Sequence, residues 1–366
     1  MLPTRGFADW PLVRGNAHAT GVATSKLSSD LDLLWDYSVP ASGFEATAVI
    51  ADGMVYVGDM DGTFYALHLA DGEPVWKRSF ENSGFATAAA VVDGLIYVSD
   101  IDGVVRCLRA ASGEDVWACE TEAELYAAPN VHAGSVLLTT ESGKLLAIEA
   151  QTGDQQWKFQ IEAPLRCWPA VIEGRIFLAG CDERLHAVDF QTGKEVEGLD
   201  IDGPTGCTPG TFEKKMYFGT EAGTFYAIAA GPMEIVWEHH DPKRAQPIRV
   251  AAAVDSRAVI YGSQGKRVVA LDPTTGKPLW EFPVRSRTES SPVIAGDLVF
   301  FATVRGRVVA VDIASGREQW QYEAGGNFQA SPAVVDGKLV LGNMDGTLYC
   351  FGNRKKEPAD HADKRG

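Results

Sequence analysis

A unit of about 40 residues recurs along this chain, and that periodicity limits the fold more than any other feature. Residues 44–76, FEATAVIADGMVYVGDMDGTFYALHLADGEPVW, return in altered form over 85–117 as FATAAAVVDGLIYVSDIDGVVRCLRAASGEDVW. A last copy, ASPAVVDGKLVLGNMDGTLYCFG, runs into Gly352. A repeat of this length means a solenoid, a propeller or an array. Within a unit the apolar residues alternate. Val55 and Val57, then Phe64 and Ala66, fall at strand period, with Asp-Gly turns between them. Each unit therefore reads as four short antiparallel strands, the blade of a β-propeller.

Eight inner-strand starts align, at Phe44, Phe85, Leu125, Leu165, Thr205, Ile248, Thr288 and Phe328. Outer-strand tryptophans follow at Trp76, Trp117, Trp157, Trp237, Trp280 and Trp320. Blade 4 departs, with Glu197 in KEVEG where tryptophan is expected. Blade 8 has no outer strand of its own, because the pattern stops at Gly352. Residues 31–39, LDLLWDYSV, carry Trp35 and fit the vacancy. The expected fold is thus all-β: an eight-bladed β-propeller of four-stranded antiparallel blades, with residues 31–39 completing blade 8 so that no sheet edge stays open. Residues 1–30 read as an irregular extension, 31–352 as the propeller, and 353–366, NRKKEPADHADKRG, as a disordered charged tail.

Before most of the tryptophans runs a fixed segment, as in ALDPTTGKPLW at 270–280 and AVDIASGREQW at 310–320. Asp272 or Asp312 can accept backbone N–H bonds in the turn, and the glycine supplies a positive φ. The indole then covers the gap between blades, so Trp→Ala should cost about 3–5 kcal/mol. This segment resembles the tryptophan-docking motif of the quinoprotein-type, PQQ-like repeat family, and DWPLVRGNAHATG at 9–21 resembles the family's strand-entry segment. The resemblance covers residues 9–352.

That family includes PQQ-dependent dehydrogenases, propeller lipoproteins of outer-membrane β-barrel assembly, and sensor domains of bacterial kinases. The plain blades here are most similar to those of the assembly lipoproteins. The resemblance implies the periplasm or cell envelope. The opening MLPTRGFADW has no apolar signal core and no lipid-attachment cysteine motif, which fits the cytoplasm if Met1 is the true start. Quinoprotein dehydrogenases hold PQQ and calcium above the axis, with an adjacent cysteine pair and inserted loops. This chain has neither, nor a CxxCH, so no cofactor and no catalytic residue is expected.

The net charge of −16 argues against nucleic acid as the main partner, and no run of 18 apolar residues suggests a membrane span. A monomer is expected. Cys107, Cys119, Cys167, Cys181, Cys207 and Cys350 show no paired spacing and read as small buried residues. Cys167 and Cys207 share one repeat position in adjacent blades, so they could approach one another. Asp59-Met-Asp61-Gly62 and Asp100-Ile-Asp102-Gly103 suggest calcium loops, but Ala70 and Ala111 stand where the closing Glu belongs, so both read as turns. His239-His240-Asp241, in a longer connection, could touch a metal but reads as a loop.

Charge is unevenly placed around the ring. On the face formed by inner-strand starts and by the turns between second and third strands, blades 8 and 1–3 supply Asp345, Glu45, Asp59, Asp61, Asp100, Asp102, Glu122, Glu124 and Glu141. Blades 6 and 7 supply Lys243, Arg244, Arg249, Lys266, Arg267, Arg285, Arg287, Arg305 and Arg307. Glu45, Arg166, Arg249, Glu289 and Gln329 would ring the channel mouth. Two readings follow: solvated turn residues paired locally, as Arg287 with Glu289, or a docking face for an anionic partner. The expected function is a non-catalytic scaffold presenting this face to a protein, an anionic ligand or a glycan. A PQQ/calcium oxidoreductase and a ligand-sensing domain are the alternatives.

Overall fold

In the computed structural model, which describes residues 9–353, the strands form eight four-stranded antiparallel sheets. Blade 1 comprises Val49–Ala51, Met54–Gly58, Thr63–His68 and Pro74–Ser79, joined in sequence order. The next six blades repeat that order. Blade 8 does not: its outer strand is Asp32–Ser38, hydrogen-bonded to Thr347–Gly352. The closure expected for residues 31–39 is therefore present, with Trp35 opposite Cys350. Of the proposed tail only Asn353 falls among the described residues, where its Oδ1 accepts from Ser28 Oγ at 2.8 Å; the rest, like residues 1–8, lies outside them.

Burial along the strands follows from the stacking of blades. Val55, Tyr56, Val57 and Gly58 are all buried, because each inner strand is covered on both faces by neighbouring blades. Only the outer strands alternate, as in Glu318–Glu323, where every second residue is exposed. The period-2 signal is thus clearest at the rim, and the inner strands read as near-continuous apolar runs.

The docking tryptophans bridge each blade to the next. Trp35 donates its indole N–H to the Leu69 carbonyl at 3.1 Å, Trp76 to Ala110 at 3.0 Å and Trp117 to Ala150 at 2.9 Å. Trp237, Trp280 and Trp320 reach Pro273, Ile313 and Leu31 in the same way. Trp157 lies over Gly193, whose absent Cβ would sit 2.5 Å from the ring. The turn chemistry matches the motif: Asp272 Oδ1 accepts from the N–H of Thr274 and Thr275, and Asp312 Oδ1 from that of Ser315. A bulge precedes each docking position, for example between Ala66 and Leu67 opposite Trp76, and turns the indole toward the next blade.

Blade 4 replaces the indole with an ion pair. Glu197 accepts the Met233 N–H at 2.7 Å and meets Arg175 at 3.2 Å, while Arg175 Nη2 donates to the Ala230 carbonyl. Ala230 stands where the other blades offer a carbonyl to an indole. The guanidinium thus makes the inter-blade bond that tryptophan makes elsewhere.

The six cysteines are free thiols. Cys107 and Cys350 are fully buried, as small strand residues. Burial pushes the Cys167 thiol up to about 12 and the Cys207 thiol up to about 11. Cys207 donates to the Val250 carbonyl at 3.1 Å and forms no disulfide with Cys167.

Candidate functional site: the channel and its mouth

The inner strands begin five residues after the aligned starts, at Val49 rather than Phe44 in blade 1, and the non-strand segments that lead into them run down the axis and line a cavity of about 300 Å³. One residue in from each start, Glu45, Arg166, Arg249, Glu289 and Gln329 stand at the mouth with Tyr126. Two residues deeper come Thr47, Trp168, Thr208, Ser291 and Ser331, with alanines in the remaining blades. The hydroxyls tie blade to blade. Thr47 Oγ1 accepts the Ser331 N–H at 3.0 Å, Ser331 Oγ the Ser291 N–H at 3.0 Å, and Ser291 Oγ the Ala251 N–H at 3.1 Å.

The N-terminal extension closes the far end. Its backbone pairs with one inner strand after another: Trp10 with Ile50, Pro11 with Val91, His18 with Thr211, Thr20 with Val254, and Gly21 with Ile294. Arg14, in a left-handed conformation at φ 61°, sends its guanidinium into the channel. Nη2 donates to the carbonyls of Ala252 at 3.0 Å and Pro292 at 2.5 Å. Nε and Nη1 have no partner among the described residues, although Arg14 is only 3% exposed. Burial pulls its pKa down to about 9, so it remains charged at neutral pH.

Most of the charge anticipated on the mouth face is paired. Arg249 grips Glu221 through two bonds of 2.9 and 3.1 Å, and Arg166 grips Glu141 through Nε at 2.8 Å and Nη2. That pair holds the Glu141 carboxyl below its ordinary range and raises the guanidinium. Arg244 bonds Glu281 and Asp241, Arg267 lies 3.8 Å from Glu281, Arg287 pairs with Glu289 at 3.1 Å, and Arg307 with Glu318 at 2.7 Å. Lys243, Lys266, Arg285 and Arg305 are exposed and have no side-chain partner among the described residues, so they carry the free positive charge of blades 6 and 7.

The acidic sector is smaller than expected. Asp59 and Asp100 are buried and cap their own turns, Asp59 accepting from Thr63 N–H at 2.8 Å and Tyr65 Oη at 2.7 Å, Asp100 from Val104 N–H at 2.8 Å. A carboxylate four residues before a strand satisfies turn amides better than it serves a ligand. His240 bonds Thr224 and Asp241 bonds Arg244, so that loop is held by local contacts.

Glu45 has no side-chain partner among the described residues, and burial raises its pKa. A raised carboxyl pKa means that its charged form is penalised in the folded state. The penalty is absent well below the unfolded value and grows as pH rises through the folded one. Glu45→Gln is therefore expected to raise the thermal midpoint at pH 7 and to leave it almost unchanged near pH 4. An equal gain at both pH values would contradict this.

Beside the mouth lies a groove of about 870 Å³ over blades 3–6, sharing Tyr126, Arg166, Gly206 and Arg249 with the channel. Tyr126 is 45% exposed. The other strongly exposed large apolar side chains among the described residues, Val75, Val116, Val196, Ile235, Val236 and Leu279, all lie on outer strands. Sequence reasoning missed Tyr126, Trp168 and Arg14. For Tyr126 a signal existed, since the equivalent positions hold charged, amide or small residues.

The donor set does not suit a calcium–quinone pair. Among the described residues no three His, Cys, Asp or Glu side chains are placed to hold a metal ion. At the mouth, Glu289 is engaged by Arg287 and by Gln264 at 3.0 Å, leaving Glu45 as the one acidic group there without a partner.

Comparison with known proteins agrees with this architecture. The family model described as outer membrane protein assembly factor BamB matches residues 22–166, 65–206 and 102–359. No curated protein matches by sequence. BamB from Moraxella catarrhalis superposes with a TM-score of 0.77 at 17% identity, covering 88% of this chain and 100% of that one. Quinohemoprotein alcohol dehydrogenase from Comamonas testosteroni gives 0.78 at 17% identity, covering 96% and 82%. The computationally designed protein Ika8 gives 0.78 at 15%, covering 88% and 99%. At these identities the structural likenesses speak for the fold alone.

Proposed function

Because the chain belongs to the family of outer membrane protein assembly factor BamB, we propose that it is a non-catalytic binding propeller whose mouth face docks a segment of a partner protein bearing carboxylates. One observation carries this reading: Tyr126 stands exposed beside Arg166, with Arg249 farther round the rim, over the groove beside the mouth. An exposed aromatic with an arginine beside it, set in a concave surface, is the composition of binding hot spots. The unpaired Lys266, Arg285 and Arg305 on the same face attract an acidic segment and set its orientation, because rim charges act mainly on the rate of encounter.

The test is site-specific photocrosslinking in cells, with a photoreactive residue at Tyr126, at Arg285 and, as a control, at Val116 on an outer strand. The first two are expected to capture one common protein and the third not to. Against that protein, the double reversal Arg285→Glu, Arg305→Glu should weaken binding about tenfold at low salt and less at high salt, with the thermal midpoint unchanged. Equal capture from Val116, or an affinity indifferent to the double reversal, would remove the proposal. A PQQ/calcium oxidoreductase is the competing class. Clear dye-coupled alcohol oxidation after adding PQQ and calcium would favour it.

A further inference from the structure

The depth of the channel carries a separate feature. Arg14 is a buried cation with no acidic partner, and its Nε–H and both Nη1–H bonds are unspent. A buried charge left in this state costs several kcal/mol unless something compensates it. Around it the chain presents donors. Thr47, Ser291 and Ser331 each accept a backbone N–H and donate to nothing among the described residues, and so does Thr208, which accepts from the Trp168 N–H at 3.4 Å. Each hydroxyl therefore keeps its own hydrogen for the cavity. A ring of free donors above an uncompensated guanidinium is suited to an acceptor-only guest.

We infer that the channel between Arg14 and the Thr47, Ser291, Ser331 and Thr208 hydroxyls is a binding site for a small free monocarboxylate. The groups around it fix the charge of the guest. Arg14 supplies one uncompensated positive charge at the floor. Arg166 and Arg249 at the rim are neutralised by Glu141 and Glu221, and Glu45 and Glu289 oppose a second negative charge. A dianion is therefore disfavoured. A halide fits the charge but not the space, since the donors are spread around a cavity of about 300 Å³. A carboxylate spans more of that cavity and can accept from hydroxyls of different blades while the Arg14 charge balances its own. This site is independent of the docking reading, which concerns the groove and rim.

The test is titration calorimetry of the full chain with acetate, lactate, chloride, sulfate and a capped peptide rich in glutamate, at constant ionic strength. Acetate or lactate should bind saturably and one to one, with a Kd of about 1 mM or tighter. Arg14→Met should weaken binding at least about tenfold and Arg14→Lys by less, because lysine keeps the charge but loses the fork. Arg14 also holds the Ala252 and Pro292 carbonyls, so Arg14→Met could fail to fold. Ala86→Trp decides the matter then: Ala86 lines the mouth, makes none of these bonds, and a large ring there should abolish binding. No saturable binding of either acid, equal binding of chloride or sulfate (an adventitious ion only), binding of the peptide alone, or unchanged binding in folded Ala86→Trp would each overturn the inference.

Discussion

Trp35→Ala is expected to lower the unfolding free energy by about 3–5 kcal/mol, from lost burial and the cavity left behind. Trp35 is only 8% exposed, and its indole N–H closes the bond to Leu69 that joins blade 8 to blade 1. Its loss does more than empty a pocket. The strand Asp32–Ser38 is tied to the last blade by backbone pairing with Thr347–Gly352, and Trp35 is what ties that strand to the first blade. Weakening it exposes a seam between the chain's two ends, so a deletion lacking residues 1–39 should leave Thr347–Gly352 as an open edge and form oligomers. Urea unfolding of Trp35→Ala beside Trp320→Ala, with light scattering of the deletion, measures both effects. A deletion with the same assembly state and stability as the whole chain would show that closure does not depend on this strand.

The second large effect is expected at a glycine. Gly276 has φ +68° and an added Cβ would lie 2.5 Å from Trp237 Cε3. Gly276→Ala thus combines a left-handed alanine, at about 1 kcal/mol, with displacement of a buried ring, for a total of about 3 kcal/mol. Gly53→Ala is the control. Gly53 has φ +76° but nothing within 4 Å of its missing Cβ, so only the backbone cost of about 1 kcal/mol should appear. Equal destabilisation of the two variants in urea titrations would refute the idea that the motif glycine exists to admit the indole.

Blade count, blade order and ring closure were legible in residues alone. Each blade repeats the same local solution, and the single vacancy, after Gly352, matches the single unassigned strand carrying Trp35. The inter-blade role of the tryptophans was legible too, because the Asp, the Gly and the Trp act within one short segment. Blade 4 was not. Nothing local tells that Arg175 and Glu197 combine to replace an indole, since they lie on different strands and meet only when the sheet is formed.

The site divides along the same line. The repeat register placed Glu45, Arg166, Arg249, Glu289 and Gln329 around one opening, because residues at one repeat position must share one ring. Whether a charge is free is a different kind of fact. Arg249 and Glu221 are 28 residues apart, and Asp59 turns inward to cap its own turn. Side-chain pairing depends on distances of a few ångströms across separate loops, to which periodicity is blind. Arg14 is the extreme case. Residues 9–24 carry no repeat, so only the folded ring supplies the carbonyls of Ala252 and Pro292 that draw the arginine into the channel. Periodic residues specify the ring because the same short-range contacts recur in every blade. The contents of its channel are set by contacts between segments more than two hundred residues apart, and those come into being only once the ring has closed.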